Sequence, residues 1–134
     1  MREIKFRAKY KQGELPVLGQ TLLREGTWVY GDLRTRKVTP CIYDNDANTY
    51  PIDIETVGQY TGLNDNCGQE IYEGDILRVP GNDCYSEFDG VVEFERGAYI
   101  VRSLSSGTTS DLAWCVRDRM FGQPKTRIIG NIHD

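Results

Sequence analysis

The sequence is nearly empty of the side chains on which common catalytic devices depend. Histidine occurs once, at His133, so a Ser-His or Cys-His pair would lack a well-held base. There is no G-x-S-x-G elbow, no H-E-x-x-H and no glycine-rich phosphate loop. The four cysteines, Cys41, Cys67, Cys84 and Cys115, are scattered and form no C-x-x-C pair. Structural zinc needs soft ligands arriving in clustered pairs, so reduced thiols are the expectation. No apolar run approaches the roughly 20 residues that span a membrane. The opening Met1–Arg7 is charged and has no apolar signal region, which points to a cytoplasmic protein. These shortages lead to the expectation of a non-enzyme with no catalytic, cofactor or metal residue to assign.

What the sequence does hold is turn chemistry. Fourteen glycines and eight tyrosines in 134 residues favour short strands joined by many turns. A chain of this length buries roughly two-thirds of its unfolded surface and folds without a disulfide or metal. The densest backbone instructions lie in Thr56–Val79. Val57, Gln59 and Thr61 alternate with Gly58, Tyr60 and Gly62, which suits a strand. Asn64-Asp65-Asn66-Cys67-Gly68 closes a turn, and Glu70-Ile71-Tyr72 returns as a second strand. Glu73-Gly74-Asp75 turns the chain again, with Gly74 expected at positive φ, and Ile76–Val79 re-enters a sheet.

This stretch resembles the signature of the YopX-like family of phage and prophage proteins, a GQYTGL, a turn, then EIYEGDI. Ile4–Ala8, Trp28–Leu33 and Ile129–Ile132 are similar to that family too, so the resemblance runs nearly end to end. It implies a phage-derived origin and a mostly β fold, and it implies no activity. Cys67 stands where the family pattern has Asn at a left-handed turn position, so a different turn type is expected there.

Elsewhere Ile4, Phe6 and Ala8 alternate with Lys5, Arg7 and Lys9, giving a first strand with one apolar and one basic face. Gln12–Gly26 fits neither the helical nor the strand period. Thr27–Leu33 and Lys37–Tyr43 read as paired strands joined by Arg34-Thr35-Arg36. Asp44–Asn48 is a turn and Tyr50–Ile54 an extended segment. Pro80–Phe88 is a loop, followed by strands at Gly90–Phe94 and Ala98–Val101 joined by a turn at Glu95-Arg96-Gly97. Ser103–Ser110 reads as a flexible polar loop. Ser110 is expected to cap a short helix through about Phe121, burying Leu112, Val116 and Met120. Arg127–Ile132 closes the chain as a strand. No internal repeat is evident.

The fold expectation is a mainly β protein, an N-terminal β subdomain (residues 1–60) plus an SH3-like small barrel (residues 61–134), with one short helix. The barrel rests on element order and glycine-rich bends. It is fold-level analogy and says nothing about a ligand.

Net charge is −4, yet it is segregated. Residues 1–40 hold nine Lys/Arg and four Asp/Glu, residues 41–95 one and thirteen, residues 96–134 six and three. Such blocks suit association between unlike patches, in one chain or between copies, so a homo-oligomer is expected.

Four constellations are weighed against their simpler accounts. Asp44, Asp46, Asn48 and Glu55 have the offsets of an EF-hand loop. Thr49 replaces its required glycine, Pro51 interrupts its short strand, and no helix pair flanks it, so a polar turn is the better account. Glu70, Glu73 and Asp75 lie close enough for acid–base work, though turn hydrogen bonding is their ordinary use. Arg2, Lys5, Arg7, Lys9 and Lys11, with Tyr10 and Tyr30, form a candidate nucleic-acid face. The acidic middle segment and a pI near 5 oppose it. Finally, Tyr72, Tyr85, Phe88, Tyr99 and Trp114 are candidates for a peptide-binding cleft, most of them more simply core. The leading reading is a non-enzymatic binding or assembly module, with a nucleic-acid-binding accessory protein second and a metal-dependent enzyme third.

Overall fold

Alternation in the first strand is what the fold is built on. In the computed structural model, which describes residues 3–11, 23–35 and 40–134, Ala8 and Tyr10 point into a core with Val29, Ile42 and Ile52. The chain divides into two compact units, residues 1–60 and 61–134. Arg2, most of the Gln12–Gly26 segment and residues 36–39, including the start of the strand expected at Lys37–Tyr43, lie outside the described residues.

In the first unit, β1 (Phe6–Lys9), β2 (Trp28–Arg34), β3 (Cys41–Tyr43) and β4 (Thr49–Pro51) run antiparallel in the order β4-β3-β2-β1. The opening residues of β5 (Gly58–Asn64) pair with the far side of β1, Phe6 opposite Gln59 and Arg7 opposite Gly58. Gly31 in β2 is needed because a Cβ there would collide with the Tyr43 carbonyl oxygen. Ile54 is not part of an extended segment. Asp53 accepts the Glu55 N–H and caps a single 3₁₀ turn over Ile54–Thr56, which ends the run.

The second unit holds the rest of β5, then β6 (Glu70–Tyr72), β7 (Asp75–Val79), β8 (Phe88–Glu95), β9 (Ala98–Ser103), β10 (Thr109–Asp111), the helix α1 (Leu112–Cys115) and β11 (Arg127–Asn131). The order β10-β9-β8-β7-β11 gives a five-stranded antiparallel sheet. Among the described residues no pairing joins β10 to β11, so the sheet is open. Asp75, Leu77 and Val79 alternate inward along β7, and Leu77 and Val79 join Ile71, Val92, Val101, Leu112 and Cys115 in the core. The protein is thus mainly β, with two antiparallel sheets and one short helix.

Two expectations here need correction. Thr109–Asp111 pairs with β9 (Ser110 opposite Val101), so the end of the supposed polar loop is a strand. The helix starts from Asp111, whose carboxylate accepts the Ala113 N–H, not from Ser110, and it stops at Cys115. The carbonyls that a longer helix would need are taken by side chains, from 4 to 50 residues away. Thr126 and Arg119 donate to the Cys115 oxygen, and Asn66 donates to the Val116 oxygen at 3.0 Å. Leu112 is accordingly buried, while Met120 is 76% exposed.

Candidate functional site

The residues that dominate the signature stretch are used to hold the second unit together. Asp65 Oδ1 accepts the Cys67 and Gln69 N–H groups, each at 2.9 Å, and Oδ2 accepts the Ile128 N–H at 3.1 Å. Asn66 Oδ1 accepts the Thr126 N–H at 2.8 Å and the Arg119 Nε at 3.3 Å. Left-handed backbone falls to Gly68, at φ +89°, so Cys67 is not asked to adopt it. Gly74 also has φ +89°, as expected; its N–H donates to the Val92 carbonyl and its own carbonyl accepts the Ile132 N–H. Asp75, 1% exposed, accepts the Tyr72 N–H at 2.8 Å and the Asn131 side-chain amide at 3.2 Å. That use of Asp75 is structural, which removes the most buried member of the Glu70, Glu73 and Asp75 group from acid–base work.

Asp44 behaves in the same way. Its Oδ1 accepts the Asp46 and Asn48 N–H groups and its Oδ2 the Asn48 side chain and the Tyr50 hydroxyl. These bonds, Asn48 foremost, hold its carboxyl below the usual carboxylate range. No group of three or more His, Cys, Asp or Glu able to hold a metal is present among the described residues. Cys115 is buried, and desolvation pushes its thiol up to about 11, which leaves it unreactive near neutrality.

The candidate nucleic-acid residues divide. Tyr10 is only 4% exposed, inside the first unit's core, because it continues the inward face of Phe6 and Ala8; it is not placed to stack on a base. Lys5, Arg7 and Lys9 share the opposite face, on which Arg7 is itself buried, 8% exposed. Arg7 lies 4.3 Å and Lys9 5.3 Å from the Trp28 ring centre, and Lys5 lies 5.4 Å from that of Tyr60. Arg34 lies 4.2 Å from Tyr43 on β3. Tyr30, opposite Arg7 in register, is 45% exposed. The sequence shows the alternating cations; it does not show that aromatic rings from β2, β3 and β5 would receive them.

In the second unit the acidic block is paired both within itself and with the basic tail. Arg78 grips Asp89 through two bonds, of 2.9 and 3.1 Å, and holds that carboxyl below its ordinary pKa. Arg102 bridges Glu93 and Glu95, each at 2.7 Å. Part of the acidic middle is thus answered by the basic tail within one unit.

An open groove of about 820 Å³ also lies in this unit, between the β7–β8 loop, the β9–β10 loop and α1. Such a volume is in the range of ligand sites. Its wall is set by local backbone chemistry. Asn82 accepts the Cys84 and Tyr85 N–H groups, each at 2.8 Å, and a Cβ on Gly81 would meet Tyr85 and Glu87 backbone at 2.6 Å. The loop therefore presents Tyr85 in a fixed place, 60% exposed. Its ring meets Trp114 edge-on, with centroids 5.7 Å apart at 81°. Trp114 is carried on α1 and covered on one side by Arg117, 4.2 Å away. Phe88, Glu87, Asp111 and a run of serines and a threonine from Ser103 to Ser110 also line it. Of the five aromatics named from sequence, Tyr85, Phe88 and Trp114 come together here. Tyr72 is buried in the fold, and Tyr99 packs on the core and on Phe94. The serine-rich wall was not recognised in the sequence, where the same residues read as a flexible loop.

Comparison with known proteins fits the signature stretch. The model of the YopX protein family matches residues 5–134. The chain belongs to the YopX family. No curated protein matches it. Among the described residues, no helix of this YopX-family protein is long and apolar enough to cross a membrane.

Proposed function

We propose that this YopX-family protein is a non-enzymatic binding or assembly module of phage or prophage origin, acting in the bacterial host cytoplasm. The observation that carries the reading is the groove beside Tyr85 and Trp114. The exposed rings of Tyr85, on its stitched loop, and Trp114, on α1, make a recognition surface, and the carboxylates built into the signature turns are occupied by backbone N–H groups. The SH3-like character of the second unit is part of this proposal. A β7–β8–β9–β10 meander, a helical turn, and a last strand returning beside β7 support it. Affinity capture from host cells, repeated with Trp114→Ala, tests the site once the captured component is pure. Nuclear magnetic resonance should then show its binding at the Trp114 indole; perturbation confined to the first unit would overturn the reading.

A second reading has an observation of its own, the face of β1 and β2 where Lys9 lies over the Trp28 ring beside the exposed Tyr30, which suits stacking against single-stranded nucleic acid. Retention of a single-stranded oligonucleotide at physiological salt, falling steeply as salt rises, would put this reading first. Self-association belongs to the assembly reading. An oligomer at low salt that Lys5→Glu with Arg7→Glu weakens is the expected result, and a monomer in sedimentation at high concentration would remove it.

A further inference from the structure

We propose that a second, smaller concavity of this unit, between residues 80–83 and the chain after α1, binds the phosphate group of a phosphate monoester through Arg117 and Arg119. It does not depend on the aromatic groove: Arg119 lines this pocket and not the groove, and Tyr85 and Trp114 line the groove and not this pocket.

Three observations select that occupant. First, both guanidinium groups are held in place by neutral partners. Arg119 donates through Nε to Asn66 Oδ1 at 3.3 Å, and through Nη2 to the Cys115 carbonyl at 2.9 Å and the Thr126 hydroxyl at 3.1 Å. Arg117 donates through Nη1 to the Trp114 carbonyl at 2.8 Å and lies over the Trp114 ring. Amide, carbonyl and hydroxyl oxygens orient a guanidinium without neutralising it. Arg119 Nη1 and the Nε and Nη2 of Arg117 have no partner among the described residues, so each fork keeps N–H groups for an oxyanion.

Second, no carboxylate answers either charge. Among the described residues neither arginine forms an ion pair, whereas Arg78 and Arg102 of the same unit hold theirs at 2.9 and 2.7 Å. Asp118, between the two in sequence, does not line the pocket; Asp83 does, and it is exposed and pairs with neither. Burial, and then the like charge of Arg117, push the pKa of Arg119 down. Two cations on one pocket are a standing repulsion that a bound dianion relieves.

Third, size and surroundings favour a single group over a long chain. The pocket holds about 320 Å³, the lower end of the range for ligand sites. The wall facing the arginines is fixed: a Cβ on Gly81 would meet backbone atoms at 2.6 Å, and the Asn82 N–H donates to the Tyr85 carbonyl at 2.8 Å. With Asn82 Oδ1 taken by the Cys84 and Tyr85 N–H groups, its amide nitrogen remains as a further donor. Residues 61–134 hold seven Lys/Arg against twelve Asp/Glu, so a nucleic-acid strand running on from the pocket would meet a field of its own sign. A phosphate monoester, with about two negative charges near neutral pH, matches the two arginines, and a carboxylate leaves one of them unanswered.

The test uses the full chain at constant ionic strength. Calorimetry gives the affinity, and the Arg117 Nε–H resonance of nitrogen-15-labelled protein, assigned by its loss in Arg117→Gln, gives the place. The probes are inorganic phosphate, ribose 5-phosphate, a short blocked peptide centred on phosphoserine, acetate, and a thymidine oligonucleotide without a terminal phosphate. The phosphate probes should bind saturably and shift that resonance, with acetate at least about tenfold weaker. Arg117→Gln should weaken phosphate by at least about tenfold with the fold's spectrum retained. Asp83→Asn, an exposed change that removes a competing anion, should tighten it. Preference for the phosphopeptide over ribose 5-phosphate would support the site and assign it to modified proteins; the reverse order would support it and assign it to small metabolites. Acetate binding as tightly as phosphate, or the oligonucleotide binding more tightly than any phosphate probe, would overturn the ligand class. Phosphate binding unchanged in Arg117→Gln, or no saturable binding of any phosphate probe at millimolar concentration, would overturn the site.

Discussion

Asp44–Asn48 and Asp65–Gln69 are one five-residue loop built twice, once in each unit. In both, the leading aspartate accepts the N–H groups two and four residues on, its own N–H donates to the fifth residue's carbonyl, and the fourth residue is left-handed. A strand follows at once in each case, β4 from Thr49 and β6 one residue after Gln69. The two copies differ in what the second carboxylate oxygen does. In the first it stays at home, on Asn48 and Tyr50. In the second it reaches the Ile128 N–H, while its neighbour Asn66 holds Thr126 and Val116. The same local chemistry is a hairpin tip in one unit and a clamp on the C-terminal segment in the other. Sequence composition cannot separate these uses, because the turn-forming residues are alike and only the partner is distant.

Removing the aspartates should separate them most sharply. Asp65→Ala strands three N–H groups, one of them on a strand 63 residues away. Loss of about 1–3 kcal/mol is expected for the second unit, most of it from the half-buried Ile128 N–H, since water can reach the Cys67 and Gln69 N–H groups. Asp44→Ala, in an exposed tip, should cost much less. Urea unfolding of both variants, followed separately by Trp28 and Trp114 fluorescence, measures the two units. Equal losses would mean the clamp contributes nothing beyond the turn.

The left-handed position gives a smaller contrast. Gly68 has φ +89° and open space where a Cβ would go, so Gly68→Ala meets backbone strain alone and should lose about 1 kcal/mol. Ala47 already sits at φ 64°, so Ala47→Gly should gain up to about 1 kcal/mol. If both substitutions destabilise, relief of strain at Ala47 is outweighed by glycine's larger unfolded-state entropy.

This loop pair also marks how far the sequence could be read. Glycine and aspartate signals gave the hairpins, the Gly74 turn and the loop from Pro80, because such instructions are local. The length of α1 was not legible. Its end depends on Thr126, Arg119 and Asn66 capturing carbonyls that a longer helix would have used, and those partners lie up to 50 residues away. Tyr10 read as a candidate stacking ring, and Val29 and Ile42 packed with it make it a core residue. At the groove, Tyr85 and Trp114 were legible as aromatics and their meeting was not. It requires the β9–β10 hairpin, concealed in a serine-rich stretch that reads as a loop.

Acid should act on the exposed copy. Asp44 has its pKa held below the ordinary aspartate value of about 3.9, first by Asn48. A depressed folded value means the contribution is present above the ordinary pKa and is lost as pH falls through the folded one. The first unit should therefore lose stability below about pH 4, and Asp44→Asn should flatten that limb. In the second unit Asp89, depressed by Arg78, should act with the same sign, so Asp89→Asn is the matching control. An acid limb unchanged in Asp44→Asn would mean its hydrogen bonds persist in the unfolded chain.

The smallest expected effect is that of calcium, and it bears on the same loop. Asp44, Asp46, Asn48 and Glu55 match the spacing of a calcium loop, yet the geometry gives Asp44 to its own backbone. Both of its oxygens accept two bonds, from Asp46, Asn48 and Tyr50. A cation would have to replace those bonds, and Glu55 is drawn into a 3₁₀ turn, its N–H held by Asp53 at 3.1 Å. Any ligand that binds the native state alone must raise its melting temperature. Calcium at millimolar concentration should therefore leave the melting of the first unit where it was, in Asp44→Ala as in the parent. A rise of several degrees in the parent, absent from Asp44→Ala, would show that the loop can exchange its hydrogen bonds for a metal. The two copies would then differ in function as well as in partner, because Asp65 commits its second oxygen to Ile128.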